Sequence, residues 1–459
     1  MAQSKFKKVD IKSNKNSRLI ALEIWILIFY NHKKLEDTIN SSFDFNKLDK
    51  RDRSFVYLIL NTSMRRHKQA QVIYNKHAKF GIKKRNRYLN GILTIATVQL
   101  IWLKIAPYAV LNDAVNQARK FGGENQSKLV NGLLRSMLEN EEQWTKLMPD
   151  ETYNLPEWLW KSWVSSYGEK NVKEIVNLAM APPPIDIIIS KKVTQKDKQE
   201  LKSNLLGEEI FPNVIRCNLN GPIENLPRYQ DGIWWIQDAA SQIPCNLLLS
   251  QLTNYFTKGF KALRILDLCC APGGKTAQLL DNNLNVTCVE RSRSRSKIFL
   301  DNMKRLKFNP ELTIVNAEDY NPKFKPDVIL IDAPCSGTGT IRKNPDIFIK
   351  PAPNNLDDLL LTQDNILKNA AKILNKNGFI MYVTCSLQKI EGERRIEKFL
   401  LEQKKFSIVP FSNEDYPMLE NCITNEGFIR ILPNNFNFNS NNVINGSDGF
   451  FVSLLKMDK

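Results

Sequence analysis

The chain has 459 residues, 42% of them hydrophobic and 25% charged. At roughly 100–200 residues per domain this allows two to four domains and excludes a wholly disordered or collagen-like chain. Its 65 Lys+Arg against 48 Asp+Glu give a net charge of +17, and residues 1–150 alone, with 27 against 13, carry +14 of it, which suits a polyanionic partner such as nucleic acid, although solvated basic faces would give the same balance.

Residues 1–17 are polar and rich in Lys, Asn and Ser, and read as a loose basic tail. From 18 to about 140, apolar residues recur at spacings of three and four, as in Val98, Ile101 and Ile105. The pattern predicts helices over 19–31, 53–66, 87–105, 109–121 and 126–139, with Pro107 breaking one and Gly122-Gly123 ending another. Strand alternation is scarce, so a helical bundle is expected over 1–144. The most apolar early stretch, 19–30, carries Glu23 and is too short to span a bilayer and too far in for a signal peptide. No membrane anchor and a cytoplasmic location are therefore expected. Arg51, Arg53, Arg65, Arg66, Lys83, Lys84, Arg85 and Arg87 interleave with these helices, and the run at 83–85 beside Arg87 is dense enough for phosphate contacts.

Residues 145–255 read as a small α+β connecting domain. Ala181-Pro182-Pro183-Pro184 is a turn leading into a strand over 185–189. The adjacent Trp234 and Trp235 fit opposite faces of one strand, with base stacking as the alternative. From 256 to 459 short apolar runs alternate with amphipathic stretches. Strands are expected at 264–268, 286–289, 312–315, 328–331 and 379–383, and helices at 275–280, 293–306, 359–374 and 392–403. A final strand is expected at 449–455, after an Asn-rich surface loop at 434–445. This is the pattern of a Rossmann-like, doubly wound α/β domain. The fold class is thus α plus α/β, with boundaries 1–144, 145–255 and 256–459.

Three segments of the last domain carry chemistry. The strand 264–268 runs into Cys269-Cys270-Ala271-Pro272-Gly273-Gly274-Lys275-Thr276, a glycine-rich turn opening a helix, where backbone can approach a ligand and free N–H groups point outward. A Walker A loop needs glycine where Cys269 stands, and the G-x-G-x-x-G fingerprint is absent. A nucleotide-like cofactor at the strand's carboxyl end remains, with Glu290 placed after the second strand to take ribose hydroxyls. Asp332-Ala333-Pro334-Cys335-Ser336 and Thr384-Cys385-Ser386 follow two further strands, so two cysteines arrive on the ligand-facing rim. The histidines are confined to His32, His67 and His77, and no two of the eight cysteines form a C-x-x-C pair; a zinc site, a histidine base in this domain and a disulfide framework are not expected. Carbon 5 of a pyrimidine becomes nucleophilic when a thiolate adds at carbon 6, and a second group must then help release the product. An acid such as Asp332 could hold the base edge, and the target base must leave its stack.

The N-terminal third resembles the NusB family of helical RNA-binding domains in Leu48-Asp49-Lys50-Arg51-Asp52-Arg53, in the segment 107–115 and in 128–135. Residues 145–455 resemble the RNA 5-methylcytosine methyltransferases of the Fmu/Sun family, through the segments above and through Trp235-Ile236-Gln237-Asp238, Ile341-Arg342-Lys343-Asn344-Pro345-Asp346, Glu391-Gly392-Glu393 and Asp448-Gly449-Phe450-Phe451. The resemblance implies S-adenosylmethionine on residues 269–275 (Cys269, Cys270, Ala271, Pro272, Gly273, Gly274, Lys275), its ribose on Glu290 and its adenine side on Glu318, with Asp319 as the alternative. It implies Cys385 as nucleophile, Cys335 as the thiol that assists release, and Asp332 between cofactor and base. The substrate so implied is a cytosine in 16S ribosomal RNA, with transfer RNA or large-subunit RNA as alternatives and a non-catalytic antitermination factor as a third; a monomer without metal is expected. Family members often carry Asp at the positions of Glu290 and Glu318, and His at that of Asn344.

Overall fold

The computed structural model describes residues 16–217, 222–256, 259, 262–353, 356–413, 417–438 and 444–458. The chain forms two compact units, one of residues up to 156 with 348–350, the other of 157–347 and 351 onward. Residues 1–15 of the tail expected over 1–17 and the centre of the Asn-rich loop, 439–443, lie outside the described residues, while Asn16 and Ser17 already cap and start the first helix.

The first unit is helical. Its main helices are Ser17–Asn31, Lys50–Lys76, Arg87–Ile101 and Pro107–Glu139, the last interrupted at Gly123. Asn16 and Asp49 cap the first two by accepting from backbone N–H groups of Leu19 and Asp52. Trp25, Leu60, Met64, Ile92, Leu93 and Leu134 meet in one core. The helix expected over 53–66 extends ten residues further. Its extension buries His67 and Gln69, polar residues that mask the apolar stripe in a hydropathy reading. Lys83, Lys84, Arg85 and Arg87 are exposed at the loop before Arg87–Ile101. Arg65, by contrast, is buried, and Arg66 pairs with Glu151 at 3.1 Å, so neither belongs to an open basic face.

The second unit opens with helices Glu157–Tyr167 and Glu169–Ala179. A four-stranded antiparallel sheet follows, made of β1 (Ile185–Ile189), β2 (Gly207–Phe211), β3 (Val214–Cys217) and β4 (Trp234–Ile236) in the order β2-β3-β1-β4. Trp234 and Trp235 are both buried, in different cores on opposite faces of β4, which removes base stacking as a role for them.

The large sheet contains β5 (Arg264–Leu268), β6 (Asn285–Val289), β7 (Glu311–Thr313), β8 (Val328–Asp332), β9 (Phe379–Thr384), β10 (Phe406–Ile408), β11 (Ile429–Ile431) and β12 (Phe450–Met457). Its order is β10-β12-β9-β8-β5-β6-β7, with β11 on β12. Strands β5 to β9 are parallel, whereas β12 enters antiparallel between β9 and β10. Val328 and Leu330 face one core while Ile329 and Ile331 face the other, which is why β8 reads as an unbroken apolar run. The order reverses between β5 and β8, and such a switch point opens a crevice at the strands' carboxyl ends. The α plus α/β class expected from the sequence is the one observed.

Candidate active site

At the end of β5, Cys269 has φ 67° and Gly273 φ 107°. The N–H groups of Cys269 and Cys270 both donate to Val289 O, at 2.9 and 3.1 Å, tying the turn to β6. The positive φ of Gly273 favours glycine there, and a Cβ would also press on Met303 Cε at 2.7 Å. The helix Gly274–Asp281 starts at once, and the first N–H groups of a helix have no partner within it and favour anionic or polar ligands. A cavity of 150 Å³ beside the turn is lined by Asp267, Gly273, Lys275, Asp332, Lys343 and Asp448, among others.

Glu290 follows β6 and is 1% exposed. Its Oε1 accepts from Ser292 N–H at 2.9 Å, and Arg295 stands 3.4 Å from Oε2, which has no hydrogen-bond partner among the described residues. A buried acceptor left in this state fits a ribose hydroxyl as donor. Glu318 lies half-buried in the turn after β7, and the exposed Asp319 accepts from Asn316 at 3.1 Å.

Lys275 reaches from the turn to Asp332 at the end of β8, with Nζ 2.8 Å from Oδ2. Burial works against its charge, but Asp332 more than offsets this and the ammonium's pKa is raised. The lysine therefore stays cationic and fixes the carboxylate on the rim.

The exits of β8 and β9 bring two thiols together: Cys335 Sγ and Cys385 Sγ are 3.4 Å apart, both half-buried. Gly339 N–H donates to Cys385 O at 2.9 Å, and a Cβ at Gly339 would lie 2.2 Å from Gly449 O, so only glycine allows the loops this approach. The Cys335 thiol is pushed well above its ordinary pKa, first by the hydrogen bond with Cys385, then by burial and by the charges of Cys385 and Glu391. The two cysteines expected on one rim thus meet at sulfur–sulfur contact distance, three residues beyond Asp332 in the case of Cys335. The sequence reading assigned no role to Glu391, Lys343, Asp238 or Asp448. Lys343 Nζ lies 2.8 Å from Asp238 and 2.7 Å from Asp448; the three are far apart in sequence, and only the quoted motif segments hinted at them. Asn344 donates to Thr340 Oγ1 at 2.7 Å and so holds its own turn.

Asp267, beneath the turn, is fully buried; its Oδ2 accepts from Thr276 at 2.5 Å and its Oδ1 has no hydrogen-bond partner among the described residues. Burial raises its carboxyl up to about 7, with Asp332 and Glu290 adding to the rise against the Thr276 hydrogen bond and Lys275. An unfolded aspartate titrates near 3.9, so between about pH 4 and pH 7 the unfolded chain has lost a proton that the folded chain keeps. Stability therefore falls as pH rises through that window and levels above it. Burial and the neighbouring Asp238 also push Asp448 up, against the pull of Lys343. Asp267→Asn should reduce the stability lost between pH 4 and pH 8 by roughly 2–4 kcal/mol. Urea unfolding at both pH values checks this, and an unchanged difference would reject it.

A parallel sheet with one antiparallel insertion, a glycine-rich turn after its first parallel strand and acids on the adjoining strand ends together define a Rossmann-like methyltransferase domain. Residues 260–456 match the family "16S rRNA methyltransferase RsmB/F", and residues 15–139 match the NusB family. The chain is 27% identical to the probable ribosomal RNA small subunit methyltransferase B of Synechocystis sp., over 91% of this chain and 94% of that protein. It is 26% identical to the protein of the same name from Bacillus subtilis, over 96% and 98%. The crystal structure of PH0851 shares the fold, with a TM-score of 0.72 and 20% identity over 99% of this chain and 100% of that one. Among the described residues, no helix is long and apolar enough to cross a membrane.

Proposed function

We propose that the protein methylates carbon 5 of a cytosine in 16S ribosomal RNA, using S-adenosylmethionine and a covalent adduct between Cys385 and carbon 6 of the base. The observation that carries this reading is the 3.4 Å separation of Cys335 Sγ and Cys385 Sγ at neighbouring strand exits, beside the Lys275–Asp332 pair. Addition and release at a pyrimidine need two groups on one ring, and two free thiols at that distance beside the carboxylate fixed by Lys275 can supply them.

S-adenosylmethionine, when bound, supplies an electrophilic methyl group. Residues 269–275 would hold it, with the Glu290 carboxylate accepting from its ribose and Glu318 on its adenine side. Asp332, kept in place by Lys275, holds the edge of the flipped cytosine. Cys385 adds as thiolate to carbon 6, which puts electron density on carbon 5. After methylation the carbon 5 proton passes to the Cys335 sulfur acting as thiolate, the 5,6 double bond re-forms and Cys385 departs from carbon 6 as thiolate. The exposed bases at 83–87 suit contacts to the RNA backbone.

The relatives' names favour small-subunit RNA over transfer RNA or the large subunit. The purified protein, S-adenosylmethionine and either naked 16S RNA or assembled small subunits should give 5-methylcytosine at one position, read by bisulfite sequencing. Methylation of transfer RNA or 23S RNA instead would redirect the substrate, and label on no cytosine would sink the reading.

A further inference from the structure

Both cysteines are followed by serines, and both serines lead to one carboxylate. Glu391 is 0% exposed and sits just beyond β9. Its Oε1 accepts from Ser336 N–H at 2.8 Å and from Gln363 Nε2 at 3.2 Å. Its Oε2 accepts from Ser336 Oγ and Ser386 Oγ, each at 2.5 Å. Gln363 also donates to Pro334 O at 2.9 Å, on the other side of Cys335. Thus the residue after each thiol is strapped to the same group, and the residue before Cys335 is held through Gln363.

We propose that Glu391 is a positioning residue that fixes the spacing and aim of the Cys335 and Cys385 thiols by clamping Ser336 and Ser386 together. The inference rests on the reading of these cysteines as the reacting pair. Charge-assisted hydrogen bonds to a buried carboxylate are among the stronger polar contacts, and a carboxylate has enough lone pairs to accept all four donors at once. Release requires Cys335 to act on a ring already bonded to Cys385, so it depends on the spacing more than the first addition does. The buried negative charge also helps hold the Cys335 thiol up, which gives a readout that packing alone does not move.

Glu391→Ala removes the shared strap on the two serines, leaving Cys385 held by Gly339 N–H and Ser386 by Arg430 and Thr338; Glu391→Gln keeps the side chain's volume and an acceptor for the Ser336 N–H, and its amide group can donate to the serine hydroxyls. Turnover should fall about 100-fold in E391A, the scale of a misplacement of about 1 Å, and by no more than about tenfold in E391Q. In E391A a covalent RNA–protein adduct should accumulate on denaturing gels, because release suffers more than addition. The pH profile for alkylation of Cys335 should move to lower pH in both variants. Wild-type turnover in E391A with no adduct and an unmoved alkylation profile would overturn the role of Glu391. If E391A does not fold, the E391Q alkylation profile decides. Cys385→Ala is the parallel control: if that variant still methylates, the two-thiol chemistry itself is wrong, whereas an inactive C385A beside unaffected Glu391 variants rejects the clamp alone.

Discussion

Cys385→Ala should lose methyl transfer to cytosine by at least roughly 10⁴-fold, the scale on which removal of a covalent nucleophile is felt. Carbon 5 of cytosine has little nucleophilic character until carbon 6 is attacked, and the neighbouring groups cannot take over the attack. Asp332 is tied to Lys275 at 2.8 Å, and Cys335 leaves a different strand. The substitution removes only a half-buried sulfur, so the fold and the glycine-rich turn, built on β5 and β6, should be unaffected. Calorimetry should therefore find unchanged S-adenosylmethionine binding beside the lost activity. The Cys335 thiol is held up first by its hydrogen bond with Cys385; without that partner its alkylation should set in at lower pH. Retained methyl transfer by C385A would reject the assignment outright.

What the sequence reveals and conceals follows from how each element is buried. Strands β5, β6, β8 and β9 lie in the middle of the large sheet with apolar cores on both faces. The runs of β8 and β9 are continuous, those of β5 and β6 are broken only by Asp267 and Thr287, and the expected bounds match to within a residue at each end. Strands β2, β10 and β11 are short and mixed in polarity; Gly207–Phe211 reads Gly-Glu-Glu-Ile-Phe, with its glutamates facing outward, and no periodicity separates it from a loop. The antiparallel entry of β12 between β9 and β10 is silent for another reason, since a strand buried on both faces has the same composition in either direction. At the site, Cys335 and Cys385 are legible because strand exits face the crevice wherever the rest of the chain goes. Glu391 is not, because its role is set by two serines 55 and 5 residues away and no local pattern encodes such a meeting. The same holds for Lys343 between Asp238 and Asp448, partners 105 residues to either side.

Cys335→Ala should leave the first half of the reaction intact and stall the second. Cys385 keeps its place, because Gly339 N–H still holds its carbonyl and Glu391 still holds Ser386, so addition and methylation proceed. The sulfur 3.4 Å from Cys385 Sγ is gone, and no other thiol lines that exit to assist loss of the carbon 5 proton. The methylated base then stays bonded to carbon 6 through Cys385. Denaturing electrophoresis of C335A with 16S RNA and labelled S-adenosylmethionine should show a slow-migrating protein–RNA band that carries the methyl label. Multiple turnover should fall by roughly 10²–10⁴-fold, the range ascribed to a positioned proton-transfer group. The double variant C335A/C385A should give no such band, because the bond that traps the RNA is to Cys385. If C335A turns over freely without a band, the two thiols do not divide the work; a band that survives in the double variant would place the covalent bond on a third residue.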